Sequence, residues 1–492
     1  MPEQPTLVDH LLDAAGTHPD KVAWVFDLPG QPVQRWTYAR VADVSAGLAV
    51  ALVARGVRPG DHVGLMLGNS PWMPAAWLAL QRVGAAAVPL NVRYRPGDAA
   101  HVLADAGVHL VLAAPEHVGL LREAGAADVL DPAGLTLDPA SWEQGATAPT
   151  AVVNVQYTSG TTGRPKGCVL THEYWTTLGG SMLTEFPHLG EDDVLLTAQP
   201  FHYVDPQWNV VAALLARATL VALDGFHPSS FWAKVREHEV TYFYCLASMP
   251  TLLLKMPADP LDRAHRVRAV QCSAIPPALH ADLEERWGVG WFEAFGMTET
   301  GADIRVGASE HDALVGTGCL GRPAAHREAR LDEAGQLWLR GPGMMLGYLG
   351  LASPFDADGW FPTGDLARTD DAGRLYLAGR LKDMIRRSGE NVAAVEVEET
   401  LLAHPAVRLA GVVAVPDEVR GEEVGAFVVA PGASVEDLRS WCAERLAGFK
   451  VPRYWVLRED LPLTASHRVE KGTLRAEVSA GVLAAEGVEV GA

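Results

Sequence analysis

Apolar residues recur every three to four positions through Val41–Val57 (VADVSAGLAVALVARGV), which is the spacing of one helix face. They then crowd into Asp61–Gly68 (DHVGLMLG), the pattern of a strand buried on both sides. The rhythm repeats. Pro71–Val83 predicts a helix and AAAVPL at 85–90 a strand; His101–Gly107 predicts a helix and VHLVLAAP at 108–115 a strand. A loose stretch, Ala126–Thr150, precedes a further strand at Ala151–Tyr157. Regular helix–strand alternation predicts layered α/β structure.

Past Arg380 the texture changes. Val395–His404 and Val435–Leu446 have helical spacing, and Leu409–Val415 and Val424–Ala430 read as short strands. A tail of roughly 110 residues is long enough for its own α+β domain. The expected division is 1–381 and 382–492, with no long linker near Gly379–Lys382, so Lys382 is expected to be a tight hinge.

A hydrophobic content of 48% with 20% charged residues suits a globular chain with large cores. Acidic residues outnumber basic ones 60 to 40, and the formal charge of −20 argues against nucleic-acid or anionic-membrane partners. The five cysteines, Cys168, Cys245, Cys272, Cys319 and Cys442, form no CxxC pair. They read as free thiols in a reducing compartment. Met1–Asp27 shows no basic stretch followed by an apolar one, and no apolar run approaches a membrane span. The expected location is cytoplasmic, and a homodimer is compatible with the chain.

The strongest chemical signal is Tyr157-Thr-Ser-Gly-Thr-Thr-Gly-Arg-Pro-Lys-Gly167, which follows the strand at 151–157. Its glycines let backbone amides approach a phosphate closely. Thr158, Ser159, Thr161 and Thr162 add hydroxyls beside Gly160, and Lys166 adds charge. The GxxxxGK[ST] spacing of a Walker A loop is absent.

This string resembles the phosphate-binding signature of the adenylate-forming superfamily: acyl-CoA synthetases, nonribosomal peptide adenylation domains and luciferases. Further matches follow in that family's order. In Phe295-Gly-Met-Thr-Glu-Thr-Gly301 the resemblance implies that Phe295 stacks on adenine, with Glu293, Ala294, Gly296 and Met297 around it. It also implies that Thr298 meets a phosphate and that Glu299, with Thr158, holds Mg2+. A hard cation wants such oxygen donors and keeps several waters. In Pro362-Thr-Gly-Asp-Leu366 it makes Asp365 the acceptor for the ribose hydroxyls. Arg380 in Gly379-Arg-Leu-Lys-Asp383 reaches the ribose and phosphate side, and Tyr376 joins the nucleotide site. Cys272-Ser-Ala-Ile-Pro276 lines the other adenine face through Ser273 and Ala274, with Ser273 and Ile275 bulkier than the family pattern. Beyond the hinge, Arg387-Ser-Gly-Glu-Asn-Val392 resembles the loop that enters the site for thioester formation. There Gly389 leaves room for a pantetheine arm, and Ala393 stands where many relatives have a larger residue.

The implied fold is a large N-terminal multi-layer α/β domain with a β subdomain, capped by a small mobile α+β domain. The implied reaction joins ATP and a small-to-medium carboxylic acid into acyl-AMP, then passes the acyl group to a thiol, with CoA as the expected acceptor. The family's catalytic lysine sits in a Pro-x-Thr-x-x-Gly-Lys-hydrophobic-x-Lys pattern. In Leu461-Pro-Leu-Thr-Ala-Ser-His-Arg-Val-Glu-Lys471 the Gly-Lys becomes His467-Arg468. Arg468 keeps the charge in a larger, planar group. Three readings follow: Arg468 does the lysine's work, Lys471 reaches in after a local shift, or the first domain suffices. The first is preferred.

Substrate-pocket residues implied by the resemblance are His202, Tyr203, Asp205, Trp208, Cys245, Met249 and Gln271, with His202 as a gate beside the reacting groups. The aromatic stretch Phe201–Trp208, with Phe231–Arg236, resembles the crotonobetaine/carnitine-CoA ligase branch. Asp205 then faces a cationic substrate group, but a helix N-cap ahead of Pro206 is its commoner explanation. Two other readings of the whole chain stand. One is the same chemistry with a carrier protein, an amine, or nitrite activated for diazotisation of an aryl amine. The other is a nucleotide-binding protein without catalysis.

Overall fold

The computed structural model describes residues 5–158, 165–246, 248–388, 390–417, 419–464 and 468–482, and the backbone of 488–489. The predicted alternation becomes two sheets with helices between and outside them. One sheet of six strands runs Asp128–Leu130, Leu110–Ala113, His62–Met66, Ala86–Pro89, Val152–Thr158 and Lys166–Thr171. The larger sheet has a parallel half that includes Val22–Asp27, Thr219–Leu223, Val194–Thr197, Tyr242–Leu246, Ala269–Ser273 and Trp291–Met297. It continues without a break into an antiparallel half from Gly301–Arg305 to Glu328–Leu331.

The two-residue period of the strands decides the layering. Leu65 and Leu195 point into one shared core together with the helical residues Trp77, Trp175 and Val211. Their neighbours Met66 and Leu196 point the other way, into two separate outer cores. Helices therefore fill the space between the sheets and cover both outer faces. The predicted helices and strands occur within a few residues of their expected positions, for example Tyr38–Ala54, Trp72–Val83 and Pro96–Asp105. The stretch expected to be loose, 126–150, gains the short edge strand Asp128–Leu130.

Beyond Lys382 the chain forms its own sheet with a core on each face: Val412 and Ala426 point to one side, Val413 and Phe427 to the other. Helix Ala394–Leu402 packs against the strand Leu375–Arg380, so this unit lies against the larger one. Among the described residues no helix is long and apolar enough to cross a membrane.

Candidate active site

The glycine-threonine string is flanked by the strands Val152–Thr158 and Lys166–Thr171. These strands pair antiparallel, with Thr158 opposite Lys166. Ser159, Gly160, Thr161 and Thr162 lie outside the described residues, as do Gly389 and His467. The segment 346–349 docks on the second of these strands: Leu346 N–H donates to Val169 O, and Leu349 N–H to Gly167 O. This docking aims Tyr348 at two expected site residues. Its hydroxyl donates to Glu299 Oε1 at 2.9 Å, and the Lys166 ammonium lies 5.2 Å from its ring centre.

Glu299 is held from behind as well. Its carbonyl accepts from Met345 N–H. The next residue, Thr300, gives its hydroxyl to Asp303 and its carbonyl to the Arg327 guanidinium at 2.7 Å. Asp303 and Arg327 form a fully buried ion pair at 2.7 Å. Burial holds the Glu299 carboxyl above its ordinary range, with Tyr348, Arg380 and Asp365 acting on it. The Glu299 carboxylate supplies the oxygen donor that a hard divalent cation takes.

Asp365 and Arg380 are opposite one another in neighbouring antiparallel strands, joined by Arg380 Nε–H to Asp365 Oδ1 at 2.6 Å. Asp365 is 1% exposed, so its carboxylate has little solvent other than what the site admits. Tyr376 is not brought to this pair. Its hydroxyl meets Asp370 at 3.2 Å, and the Arg368 guanidinium lies over its ring.

The strand Trp291–Met297 carries the adenine candidates. Buried Glu293 accepts the N–H groups of Ala274 and Ile275 at 2.6 and 2.9 Å. Ala274 is in the left-handed region at φ 68°, which a β-carbon disfavours, so this carboxylate fixes a strained turn. Ser273 donates to Ala294 O at 2.5 Å. Phe295 is half-buried against the core that includes Ile304 and Leu320. A side chain at Gly296 would collide with Gly301 O, so this tight turn requires glycine and carries Met297 and Thr298 towards Glu299.

Several pocket candidates gather at the start of helix Val204–Ala216. An amide network pins the approach. Gln156 donates to His202 O at 2.6 Å and Gln207 to Phe201 O at 3.0 Å, while Asn69 accepts from Phe201 N–H. The His202 ring lies tilted against Tyr203 with centroids 4.4 Å apart, and its buried Nε2 has no hydrogen-bond partner among the described residues. Burial pulls this imidazole down to about 3. Trp208 meets Tyr244 edge to face at 5.3 Å, and Tyr244 Oη lies 2.5 Å from Ser273 Oγ.

Three expectations need correction here. The helix is capped at Tyr203 and begins at Val204, so Asp205 is its second residue and not its N-cap. Cys245, expected on the pocket wall, is one step out of phase with Tyr244 and points into the outer core with Leu283 and Trp287. Met249 belongs to that core too. Gln271, two residues from Ser273 on the same strand, accepts from the Tyr242 hydroxyl at 2.8 Å.

In the C-terminal unit, Arg468 O accepts from Thr464 N–H at 2.8 Å. Its charge acts on Asp205, Tyr244, Cys272 and Asp365. Lys471 is occupied elsewhere: its ammonium lies 2.8 Å from Glu398 and 3.6 Å from Asp383. Arg475 also donates to Asp383. Asp383 thus ties helix Lys471–Ser479 to the turn that contains exposed Lys382. Ala393 abuts Gly379, where an added β-carbon would lie 3.3 Å from the Ala393 methyl.

Residues 11–349 match the model of AMP-binding enzymes, and residues 396–468 match that of the AMP-binding enzyme C-terminal domain. The chain belongs to the AMP-binding enzyme family. It is similar to a feruloyl-CoA synthase of Amycolatopsis sp, 34% identical over 466 residues, covering 89% of this chain and 93% of that protein. A crotonobetaine/carnitine–CoA ligase of Salmonella typhi is 31% identical over 510 residues, covering 94% and 97%. The fold is similar to o-succinylbenzoate CoA synthetase from Bacillus subtilis in complex with its acyl-adenylate (TM-score 0.85, 26% identity, 96% and 99% covered). It is also similar to a benzoate CoA ligase from Burkholderia xenovorans LB400 (TM-score 0.85, 25% identity, 96% and 100% covered). The chain is an enzyme of the AMP-forming acyl-CoA ligase group.

Sequence reasoning placed the Tyr244–Met249 segment by the pocket but gave no individual role to Tyr348, Asp303, Arg327, Tyr244 or Asp383. Tyr244 was accessible from strand alternation with Tyr242. The others act through contacts far apart in the chain and carry no local signature.

Proposed function

We propose that this enzyme uses ATP to activate a small-to-medium carboxylic acid as an acyl-AMP and then transfers the acyl group to CoA. The supporting observation is convergence. Lys166, Tyr348 and Glu299 form one contiguous group and Asp365 and Arg380 a second, with Asp365 and Arg380 both acting electrostatically on Glu299.

In the first half-reaction the acid's carboxylate attacks the α-phosphorus of ATP. A new oxygen–phosphorus bond forms as the bond to pyrophosphate breaks. Thr158 and Lys166 face the phosphates, and Asp365 accepts the ribose hydroxyls. Phe295 and the Glu293-braced turn at Ala274 flank the adenine. Arg468 offsets the charge that builds between carboxylate and α-phosphate, work that a positioned cation does best in a dry site. Glu299 and Thr158 would hold Mg2+, whose contribution when bound is to neutralise the polyphosphate.

In the second half-reaction the CoA thiol attacks the acyl carbon and AMP leaves. The unit 382–492, turning about Lys382, opens the route for CoA, so one site serves two steps. The test is pyrophosphate exchange into ATP across a panel of acids, followed by mass detection of acyl-CoA. Acid-dependent exchange with thioester formation is expected. Exchange without thioester in the presence of CoA removes CoA from the reading.

A further inference from the structure

Cys245 and Cys272 are register partners in neighbouring parallel strands, Tyr242–Leu246 and Ala269–Ser273. Such strands run about 4.8 Å apart, within the span that a disulfide bridges. Partners in register stand on the same face of a sheet. Both cysteines accordingly enter the same outer core with Leu283 and Trp287, and both are free thiols with 0% exposure. Glu293 continues the row as the partner of Cys272 in the next strand.

The pair sits where the sheet gives way to the adenine candidates. The Cys272 thiol donates to Ser273 O at 3.6 Å. Ser273 donates to Ala294 O at 2.5 Å, and Glu293 holds the N–H groups of Ala274 and Ile275. Ser273 is half-buried and Ala274 exposed, so Cys272 is the thiol nearer to solvent. Closing an S–S bond draws two β-carbons to about 3.8 Å, closer than the strand spacing leaves them. Ser273 and Ala274, one and two residues on, shift with Cys272, and Ala274 is already in the left-handed region at φ 68°.

We propose that Cys245 and Cys272 form a reversible dithiol–disulfide switch, oxidised by hydrogen peroxide, that shuts the adenine side of the site. The Cys272 sulfur attacks one peroxide oxygen, the O–O bond breaks, and the departing hydroxide leaves as water with the Cys272 proton. The Cys245 sulfur then attacks the sulfenic sulfur of Cys272, the S–O bond breaks, and a second water carries off the Cys245 proton. Two thiols lose two electrons and the peroxide gains them. Burial slows the first step, so the bridge forms over a long exposure. The effect on ATP rests on the adenylating reading above.

The test exposes the reduced, full-length enzyme to hydrogen peroxide, alkylates it in denaturant and digests it without reductant for mass analysis. ATP affinity is measured by equilibrium binding before exposure, after it, and after dithiothreitol. A peptide joining Cys245 to Cys272 is expected, with ATP affinity lowered at least about tenfold, the scale of one lost hydrogen bond, and restored by dithiothreitol. Cys245→Ala should bind ATP like reduced wild type and keep its affinity through the same exposure; Cys245→Val repeats the comparison if alanine leaves the core too loose to fold. Both cysteines recovered as thiols, a bridge that leaves ATP affinity unchanged, a loss that dithiothreitol does not restore, or an equal loss in the folded Cys245 variant overturns the proposal and leaves adenylation standing. Reduced wild type that binds no ATP ends the adenylating reading and the switch together, whatever the masses show.

Discussion

Asp365 and Arg380 face each other in register across two antiparallel strands, with the guanidinium Nε–H 2.6 Å from the carboxylate. The residue proposed to hold the ribose is thus already aligned by the residue proposed to reach the phosphates, and the strand pairing sets the geometry before nucleotide arrives. Asp365→Asn keeps the shape but weakens both the pair and its acceptance of hydroxyls. It is expected to lower kcat/KM for ATP in exchange by at least about tenfold. The preference for ATP over 2′-deoxy-ATP should shrink in the same variant, a change that simple loss of stability would not produce.

Arg468 and Lys471 are only three residues apart, yet they face different tasks. Arg468→Ala is expected to slow exchange by about 10²-fold, the scale for one lost electrostatic stabiliser. Arg468→Lys should recover part of it. Lys471→Ala breaks the contacts to Glu398 and Asp383, so it should lower the thermal midpoint of the C-terminal unit while sparing exchange in the folded fraction. The reverse pattern would transfer the catalytic role to Lys471.

Much of this was readable in the chain because short-range order carries it. The helix–strand rhythm from Val41 to Tyr157 reports burial directly, and Gly364 of the Thr-Gly-Asp string takes a φ of 74° that glycine tolerates. What was not readable depends on register and distance. Cys245 looked like a wall residue until strand phase turned it outward and put Tyr244 in its place. The Asp205-Pro206 pair has the local look of a cap, but the helix begins earlier because the Gln156–Gln207 network fixes the preceding loop. Tyr348 reaches Glu299 only because a distant segment docks on the strand Lys166–Thr171.

Glu293 braces a turn that would otherwise relax. Glu293→Gln leaves one of the two N–H groups, from Ala274 or Ile275, facing an amide N–H. The expected cost is about 1–3 kcal/mol of stability. A raised KM for ATP should accompany it if the same turn lines the adenine as proposed. Denaturant unfolding and exchange kinetics on one preparation check both.

The neutral His172 imidazole anchors the first helix by accepting Leu7 N–H on Nδ1 at 3.4 Å. Burial pulls this group down to about 4 from its ordinary 6.5. Its contribution is therefore fully present above pH 6.5 and is lost as pH falls towards 4. At pH 5 the loss is about 2 kcal/mol, from roughly 1.4 kcal/mol per unit. Hydrogen exchange across Leu7–Thr17 should accelerate between pH 7 and pH 5 after correction for intrinsic rates. His172→Phe should remove that pH dependence.

The most direct test of the adenylating site is pyrophosphate exchange measured for wild type and for Glu299→Gln over a broad acid panel with Mg2+ present. Exchange that depends on the acid and falls at least about 10²-fold in a variant that still folds is the predicted result. Acid-independent exchange, or acid-dependent exchange untouched by the substitution, would contradict the assignment of ATP and metal to this cleft.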